Sequence, residues 1–460
     1  MTAMGGRPAN NVHEAEAFSF QQRRFGGSRS ATLLAALALG TIAGCSAAVD
    51  EDPATAQGDL DGFSIPKDPN GLATIERPPS DIIYTRFPKP NPEEFVEISA
   101  GGHHTCVRKR NGNVYCWGRN DSGQVGTSLS RTCGGYACVD RPKLVTDGVT
   151  LTAAMQVEAG FDHTCALTTA GAAFCWGAGG NGQIGIAPGV YGNMGSPYPV
   201  YGGRTYNSIS AGTYSTCATA STDMFCWGAI GSGGGAAGSG TNVPTWVFGS
   251  TGVAATNVST GYLHACAQWV NGSYRETNCW GANRFGQSGA DPAVYPNAPL
   301  GAGPNLGTSA LKVATQYYFT CADQPGPTVQ CFGENYYGQL GNGTTTASPT
   351  FQPQTVGNGR ALRGVTTGLS HACALDPNGA AYCWGRGTWG QLGQGVPQSG
   401  PSPVAVAGGL TFRAIAAGYL HTCGIATDNH IYCWGSNSYG QIGNQYPGSW
   451  WSSPTQALDP

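Results

Sequence analysis

Large apolar side chains are spread unevenly along this chain, and their distribution divides it into three regimes. Residues 31–42 form one short apolar run, Ala31-Thr-Leu-Leu-Ala-Ala-Leu-Ala-Leu-Gly-Thr-Ile42. From Ser46 to about Pro92 such residues are few, and Pro, Asp, Gly and Ala prevail. From about residue 95 to 458 apolar and polar positions recur in one phrase, repeated seven times: Gly-x-x-His-Thr-Cys-Ala-Leu, a glycine, then Tyr-Cys-Trp-Gly-x-Asn-x-x-Gly-Gln-Leu-Gly. The first cysteines, at 106, 165, 217, 266, 321, 373 and 423, are spaced by 59, 52, 49, 55, 52 and 50 residues. A period of this length, punctuated by glycine and aromatics and without a helical segment, predicts a β-propeller with one blade per repeat. The expected fold is all-β, a seven-bladed propeller of four-stranded blades over residues 93–460.

Within each repeat the two cysteines are expected to face one another across a hairpin. Five pairs are ten residues apart: Cys106/Cys116, Cys165/Cys175, Cys321/Cys331, Cys373/Cys383 and Cys423/Cys433. That gap suits a three-residue loop with a left-handed third position, filled by Gly112, Gly171, Gly379 and Asn429; Pro327 breaks the pattern, so its hairpin must use another loop. Cys217/Cys226 and Cys266/Cys279 have other gaps, the latter with Gly272-Ser273 as a two-residue turn. Cys133 and Cys138 remain and are expected to staple a loop with Tyr136 at its tip. Seventeen cysteines in an exported chain imply disulfides.

The tryptophan after the second cysteine, Trp117 for example, is expected to point between blades. Asn-x-x-Gly-Gln-x-Gly then turns toward the next strand; the third repeat, Gly231-Ser-Gly-Gly-Gly235, lacks it. The last segment, Ser453-Pro-Thr-Gln-Ala-Leu458, has no repeat to follow and is expected to pair with the first repeat, closing the ring.

Before the repeats, Arg23, Arg24 and Arg29 precede the apolar run, which is too short to span a bilayer and suits a signal-peptide core over 1–44. Ile42-Ala43-Gly44-Cys45 resembles a bacterial lipobox, making Cys45 the lipidation site. Residues 45–92 cannot bury enough surface to order and read as a tether. The expectation is an exported protein, lipid-anchored to the cell envelope, at the outer membrane or the surface.

The composition, 72 Gly, 29 Pro and 11% charged residues with net charge −3, gives no basic field and disfavours nucleic acid as a partner.

The repeated phrase resembles that of the regulator of chromosome condensation family, seven-bladed propellers, over about residues 95–458. The resemblance implies the fold, and for function it implies guanine-nucleotide exchange or an inhibitor-like clamp on one ring face.

Five histidines precede the first cysteines by two residues: His104, His163, His264, His371 and His421, with Ser215 and Phe319 elsewhere. One per blade places them too far apart to share an ion, so each is expected to bond the backbone of a neighbouring blade; no metal or cofactor is expected. Asp59-Leu-Asp-Gly62 is too short for a calcium loop. Motifs for nucleophilic, metal-hydrolytic or nucleotide chemistry are absent, and the chain reads as a non-enzymatic monomer. Its partner is expected to be a protein, with a glycan as the alternative. Tyr317-Tyr318-Phe319, Tyr336-Tyr337 and Trp389 vary between copies, and Tyr136, Tyr191, Tyr295, Trp450 and Trp451 lie in variable segments, where a rigid ring would place recognition.

Overall fold

Each repeat folds into one antiparallel sheet, and seven sheets stand around an axis. The computed structural model describes residues 91–146, 151, 153–229, 241–249, 254–271, 274–299, 310–346 and 350–460. Cys45, the segment 1–44 and almost all of 45–92 lie outside the described residues.

Blade 1 shows the plan. Its innermost strand is Phe95–Ala100, followed by His104–Lys109, Val114–Arg119 and the outer strand Tyr136–Leu144, with a short fifth strand, Arg131–Cys133, on the outer edge. Blades 2 to 6 repeat the four-stranded order over 154–199, 208–249, 254–298, 312–355 and 363–405. Blade 7 comprises Phe412–Ala417, His421–Ala426, Ile431–Ser436 and Trp450–Gln456.

The last strand corrects one expectation. Trp450–Gln456 pairs with Ile431–Ser436 of its own blade, with Cys433 opposite Thr455, and not with the first repeat. The apolar segment before each Gly-x-x-His already supplies that blade's innermost strand, so blade 1 has no vacancy to fill. Closure is made by bonds between blades 7 and 1 instead: Asn429 Oδ1 accepts from Phe95 N at 3.1 Å, Tyr419 N donates to Gly101 O at 3.1 Å, and Arg413 pairs with Glu94.

Second and third strands put the paired cysteines directly opposite one another. Cys106 faces Cys116, Cys165 faces Cys175, Cys217 faces Cys226 and Cys266 faces Cys279. In the last three blades Cys321 faces Cys331, Cys373 faces Cys383 and Cys423 faces Cys433. Their Cα–Cα distances are 4.0 to 4.1 Å, within disulfide reach in every blade. Cys133 and Cys138, 5.7 Å apart at Cα, sit in a hairpin of their own. Gly112, Gly171, Gly379 and Asn429 take positive φ. The hairpin with Pro327 uses Pro325-Gly326-Pro327, and Gly326 in the middle takes φ 80°.

The repeated residues outside the cysteines hold blade to blade. Trp117, Trp176, Trp227, Trp280, Trp384 and Trp434 are fully buried at the seams, with Phe332 in the remaining place. The indole N–H of Trp176 donates to the carbonyl of Gln124 on the preceding blade at 3.0 Å, and Trp434 to Gln391 at 2.9 Å. The glutamine side chain closes its own turn: Gln124 Oε1 accepts from Ser122 N, Gln441 Oε1 from Tyr439 N. Asn120 Oδ1 accepts from Val125 N, which explains the asparagine five residues earlier. Gly126, at φ 73°, is glycine because a Cβ there would stand 2.7 Å from Trp176 Nε1.

The histidines join the same staple by a different bond from the one expected. His104 Nε2 meets Thr164 Oγ1 of the next blade at 2.8 Å, and that hydroxyl donates to Gln124 O at 2.7 Å. The partner is thus a side chain of the next blade, whose hydroxyl in turn reaches back to a backbone carbonyl of the histidine's own blade.

The outer edges are blunted. In six blades the outer strand carries a proline just before the partner of the second cysteine: Pro142, Pro197, Pro244, Pro353, Pro403 and Pro454. Proline lacks the N–H that another strand would need, which guards an exposed edge against pairing.

Candidate binding face

Antiparallel order brings two kinds of loop to the same face of the ring: those joining first to second strands, and those joining third to outer strands. The first kind is the variable x-x of Gly-x-x-His, and it is rich in aromatics. His103, Phe161, Tyr214, Tyr262, Tyr317, Tyr318 and Tyr419 all stand there. They pack on one another across the mouth of the ring. Phe161 and Tyr419 meet with ring centroids 5.1 Å apart, Tyr419 and Tyr317 at 6.3 Å, Tyr317 and Tyr262 at 4.9 Å, and Tyr262 and Tyr214 at 5.6 Å.

The collar extends outward in two directions. His103 touches Tyr439 at 4.7 Å, and Tyr439 meets Tyr136 at 5.4 Å. On the far side Tyr318 contacts Phe285 at 4.8 Å and Phe285 contacts Tyr336 at 6.3 Å. Aromatic side chains held by edge-to-face neighbours lose little freedom on binding, which suits them as preformed contacts.

The stapled loop of blade 1 is anchored by charge as well as by its cysteine pair. Arg119 lies 2.7 Å from Asp121 and 3.8 Å from Asp162 of blade 2, with its guanidinium 4.5 Å from the centre of the Tyr136 ring. Burial pushes the Asp162 carboxyl up to about 6, against the pull of Arg119. Burial also holds His103 at about 3, helped by the Arg119 charge. Glu334, on blade 5, is buried with one side-chain partner, Gln339, and burial raises it to about 7.

Tyr136, Tyr191, Tyr295 and Trp450 are exposed, all in or at the end of loops joining third to outer strands. Tyr336, Trp389 and Tyr446 share that position, so these loops hold seven of the ten exposed tyrosines and tryptophans among the described residues. Tyr201 lies at the other end of its outer strand, and Tyr198 and Trp246 lie within outer strands. Trp451 departs from expectation: strand alternation turns it inward, where it packs half-buried on the core shared by blades 7 and 1. Phe319 is fully buried in the place of a histidine. His103, Phe161, Tyr214, Tyr262, Phe285, Tyr419 and Tyr439 are the members that sequence reading missed. Their signal was an aromatic in the variable x-x of Gly-x-x-His or of Asn-x-x-Gly.

The repeat cysteines and the staple histidines belong to the frame. Cys116, Cys175, Cys226, Cys279, Cys331, Cys383 and Cys433 are buried inside their blades, as are their partners, and offer no surface to a ligand. The five staple histidines do not converge. Each Nε2 is committed to a different seam: His163 to Thr216, His264 to Thr320, His371 to Thr422 and His421 to Thr105.

Comparison with known proteins agrees with this architecture. Residues 95–124, 156–183, 363–391 and 412–441 match one model of the regulator of chromosome condensation repeat, and 111–167, 328–375 and 378–425 match another. The human regulator of chromosome condensation is 26% identical over 66% of this chain and 63% of its own length. The ultraviolet-B receptor UVR8 of Arabidopsis thaliana is 25% identical over 66% of this chain and 67% of its own. The human ubiquitin ligase HERC2 is 25% identical over 61% of this chain, which spans 6% of the ligase. Prp20p from Saccharomyces cerevisiae superposes with a TM-score of 0.64 at 16% identity, covering 80% of this chain and 88% of that one. Yeast Prp20 bound to Kap60 superposes with a TM-score of 0.65 at 17% identity, covering 75% and 84%. The protein is a seven-bladed β-propeller whose residues 95–183 and 328–441 match the regulator of chromosome condensation repeat.

Proposed function

We propose that this chain is an exported, non-enzymatic propeller, lipid-tethered through Cys45, that binds a partner protein at the cell envelope with its aromatic face. The observation that carries the reading is the concentration of exposed tyrosine and tryptophan on loops of one face. Repeat-obeying residues elsewhere are consumed in holding blades together. Aromatic anchors on a rigid frame are the side chains that dominate protein–protein binding energy. Eight cysteine pairs support export, because disulfides persist in oxidising compartments. Prolines along the outer edges support a monomer. Prp20 of yeast binds Kap60, which makes protein recognition a property of a similar ring.

Nucleotide exchange is the weaker reading, since the repeated phrase that matches the family models is spent on building blades. A glycan partner remains the alternative occupant of the same aromatics.

A photo-crosslinking amino acid placed at 191, 295 and 450 tests the reading in intact cells. The expected result is one protein crosslinked from these positions and not from 201. Crosslinking only from 201, or to carbohydrate alone, would contradict it.

A further inference from the structure

The innermost strands enclose a channel along the ring axis with a volume of about 280 Å³. At about 30 Å³ per water it has room for about nine waters, or one small organic molecule. On the collar side a second, much smaller space of about 10 Å³ lies between Phe161, Tyr317, Tyr419 and their neighbours, and Gln316 lines both. The collar thus crowds the aromatic end of the channel.

Side chains alternate along each strand, so positions two apart share the channel wall. The layer beside the collar includes Ser99, Glu158, Ser210, Ser259 and Thr366. Four hydroxyls there accept a backbone N–H from the adjoining blade: Ser99 from Ala159 at 2.9 Å, Ser210 from Thr260 at 3.0 Å, Ser259 from Thr315 at 2.9 Å and Thr366 from Ala417 at 3.0 Å. Each keeps an O–H to donate. Lys312 stands one layer farther from the collar, on blade 5, while Glu158 is on blade 2. Among the described residues Lys312 and Glu158 form no ion pair with each other, yet the ammonium is near enough to favour the ionised carboxylate. Burial and then the charge of Glu97 act the other way and bring Glu158 to about 7. Glu97 is itself held by Arg108 at 2.7 Å.

We propose that this channel binds a small zwitterion, a free α-amino acid, with its ammonium on Glu158 and its carboxylate on Lys312. A lone anion would meet Glu158 and a lone cation would meet Lys312, whereas a dipolar molecule of this size satisfies both walls and uses the hydroxyl donors. An ammonium at Glu158 favours its ionised form, so binding near pH 6.5 expels a proton. The site is separate from the partner face, since the collar lies between them.

Calorimetric titration of the full chain with glycine, L-alanine, L-serine and L-glutamine is the test, with propanoate and ethylammonium as single-charge controls. The expected result is saturable binding of at least one amino acid and of neither control. Glu158→Gln and Lys312→Met, each verified to melt like the parent, should weaken it tenfold or more. Proton release, read from buffers of different ionisation enthalpy, should vanish in Glu158→Gln. The parent protein alone can overturn the proposal: none of the four binding, or the controls binding equally well, does so. Undiminished binding in both variants does so as well.

Discussion

His104 Nε2 lies 2.8 Å from the hydroxyl of Thr164, one residue before a cysteine on the neighbouring blade. Because that hydroxyl donates to Gln124 O, the imidazole must donate to the hydroxyl, which fixes the tautomer with Nε2 protonated. The pairing is matched around the ring. Where the first partner is Ser215 or Phe319 instead of histidine, the residue across the seam is Ala265 or Ala372 instead of threonine. Half a staple would leave the buried imidazole or hydroxyl without its partner, and neither non-histidine seam carries a histidine without a threonine or a threonine without a histidine.

Removing one partner should therefore cost more than removing both. Thr164→Val is expected to destabilise by about 1–3 kcal/mol, the penalty for a stranded buried polar group. The double variant His104→Phe with Thr164→Ala, which imitates the natural seam between Phe319 and Ala372, should recover part of that loss. Denaturant melts of the singles and the double measure the coupling, and simple additivity would contradict the staple.

Acid should loosen every staple. Burial holds His104, His163, His264, His371 and His421 at about 3 in the folded ring, against about 6.5 when unfolded. The unfolded chain thus binds more protons between these values, so stability is lost as pH falls from about 6.5 toward 3. Each histidine contributes up to about 1.4 kcal/mol per pH unit. Glu158 and Glu334, raised to about 7, and Asp162, raised to about 6, act oppositely as pH rises through 4.5 to 7. Burial also raises Glu97 and Asp323 and holds His103 at about 3, so six lowered histidines stand against five raised carboxylates among the described residues, and melting temperature should fall below about pH 6. A flat profile from pH 7 to 4.5 would contradict the assignment.

Gly126→Ala should destabilise by more than the usual loss of backbone freedom. Its φ is 73°, and the new Cβ would stand 2.7 Å from Trp176 Nε1 and 2.9 Å from Val145 Cγ1. A cost of about 2 kcal/mol or more is expected from strain and overpacking together, read as a lower denaturation midpoint.

Deleting residues 450–460 should open blade 7 and not blade 1. Hydrogen exchange should speed up at Ile431–Ser436, whose outer partner is gone, while Val114–Arg119 stays protected. Loss of protection in blade 1 alone would restore closure by the C-terminal strand.

The blade count, the cysteine register and the buried tryptophans were legible because each repeats at a fixed position in the phrase. Strand partnership was not. Nothing in Ser453–Leu458 distinguishes pairing with Cys433 from pairing with the first repeat, since an edge strand is chosen by backbone geometry across a long loop. The histidine's partner was present in the sequence as the next residue of the same phrase, His-Thr-Cys, but one blade away. Aromatics of the collar were hidden for the opposite reason. Positions such as Phe161 and Tyr419 obey no repeat, and only the fold shows that the loops carrying them converge on one mouth.

The central claim is that the aromatic face holds a partner protein. The most direct measurement is the affinity of the tethered chain for the protein crosslinked from 191, 295 or 450, compared among Tyr191→Ala, Tyr295→Ala, Trp450→Ala and Tyr201→Ala. At least one of the first three should lose more than about 1 kcal/mol of binding, roughly fivefold in Kd, at unchanged melting temperature. Tyr201→Ala, at the other end of its blade, should leave the affinity intact. Equal affinity in all three face variants, or loss confined to Tyr201→Ala, would contradict the account.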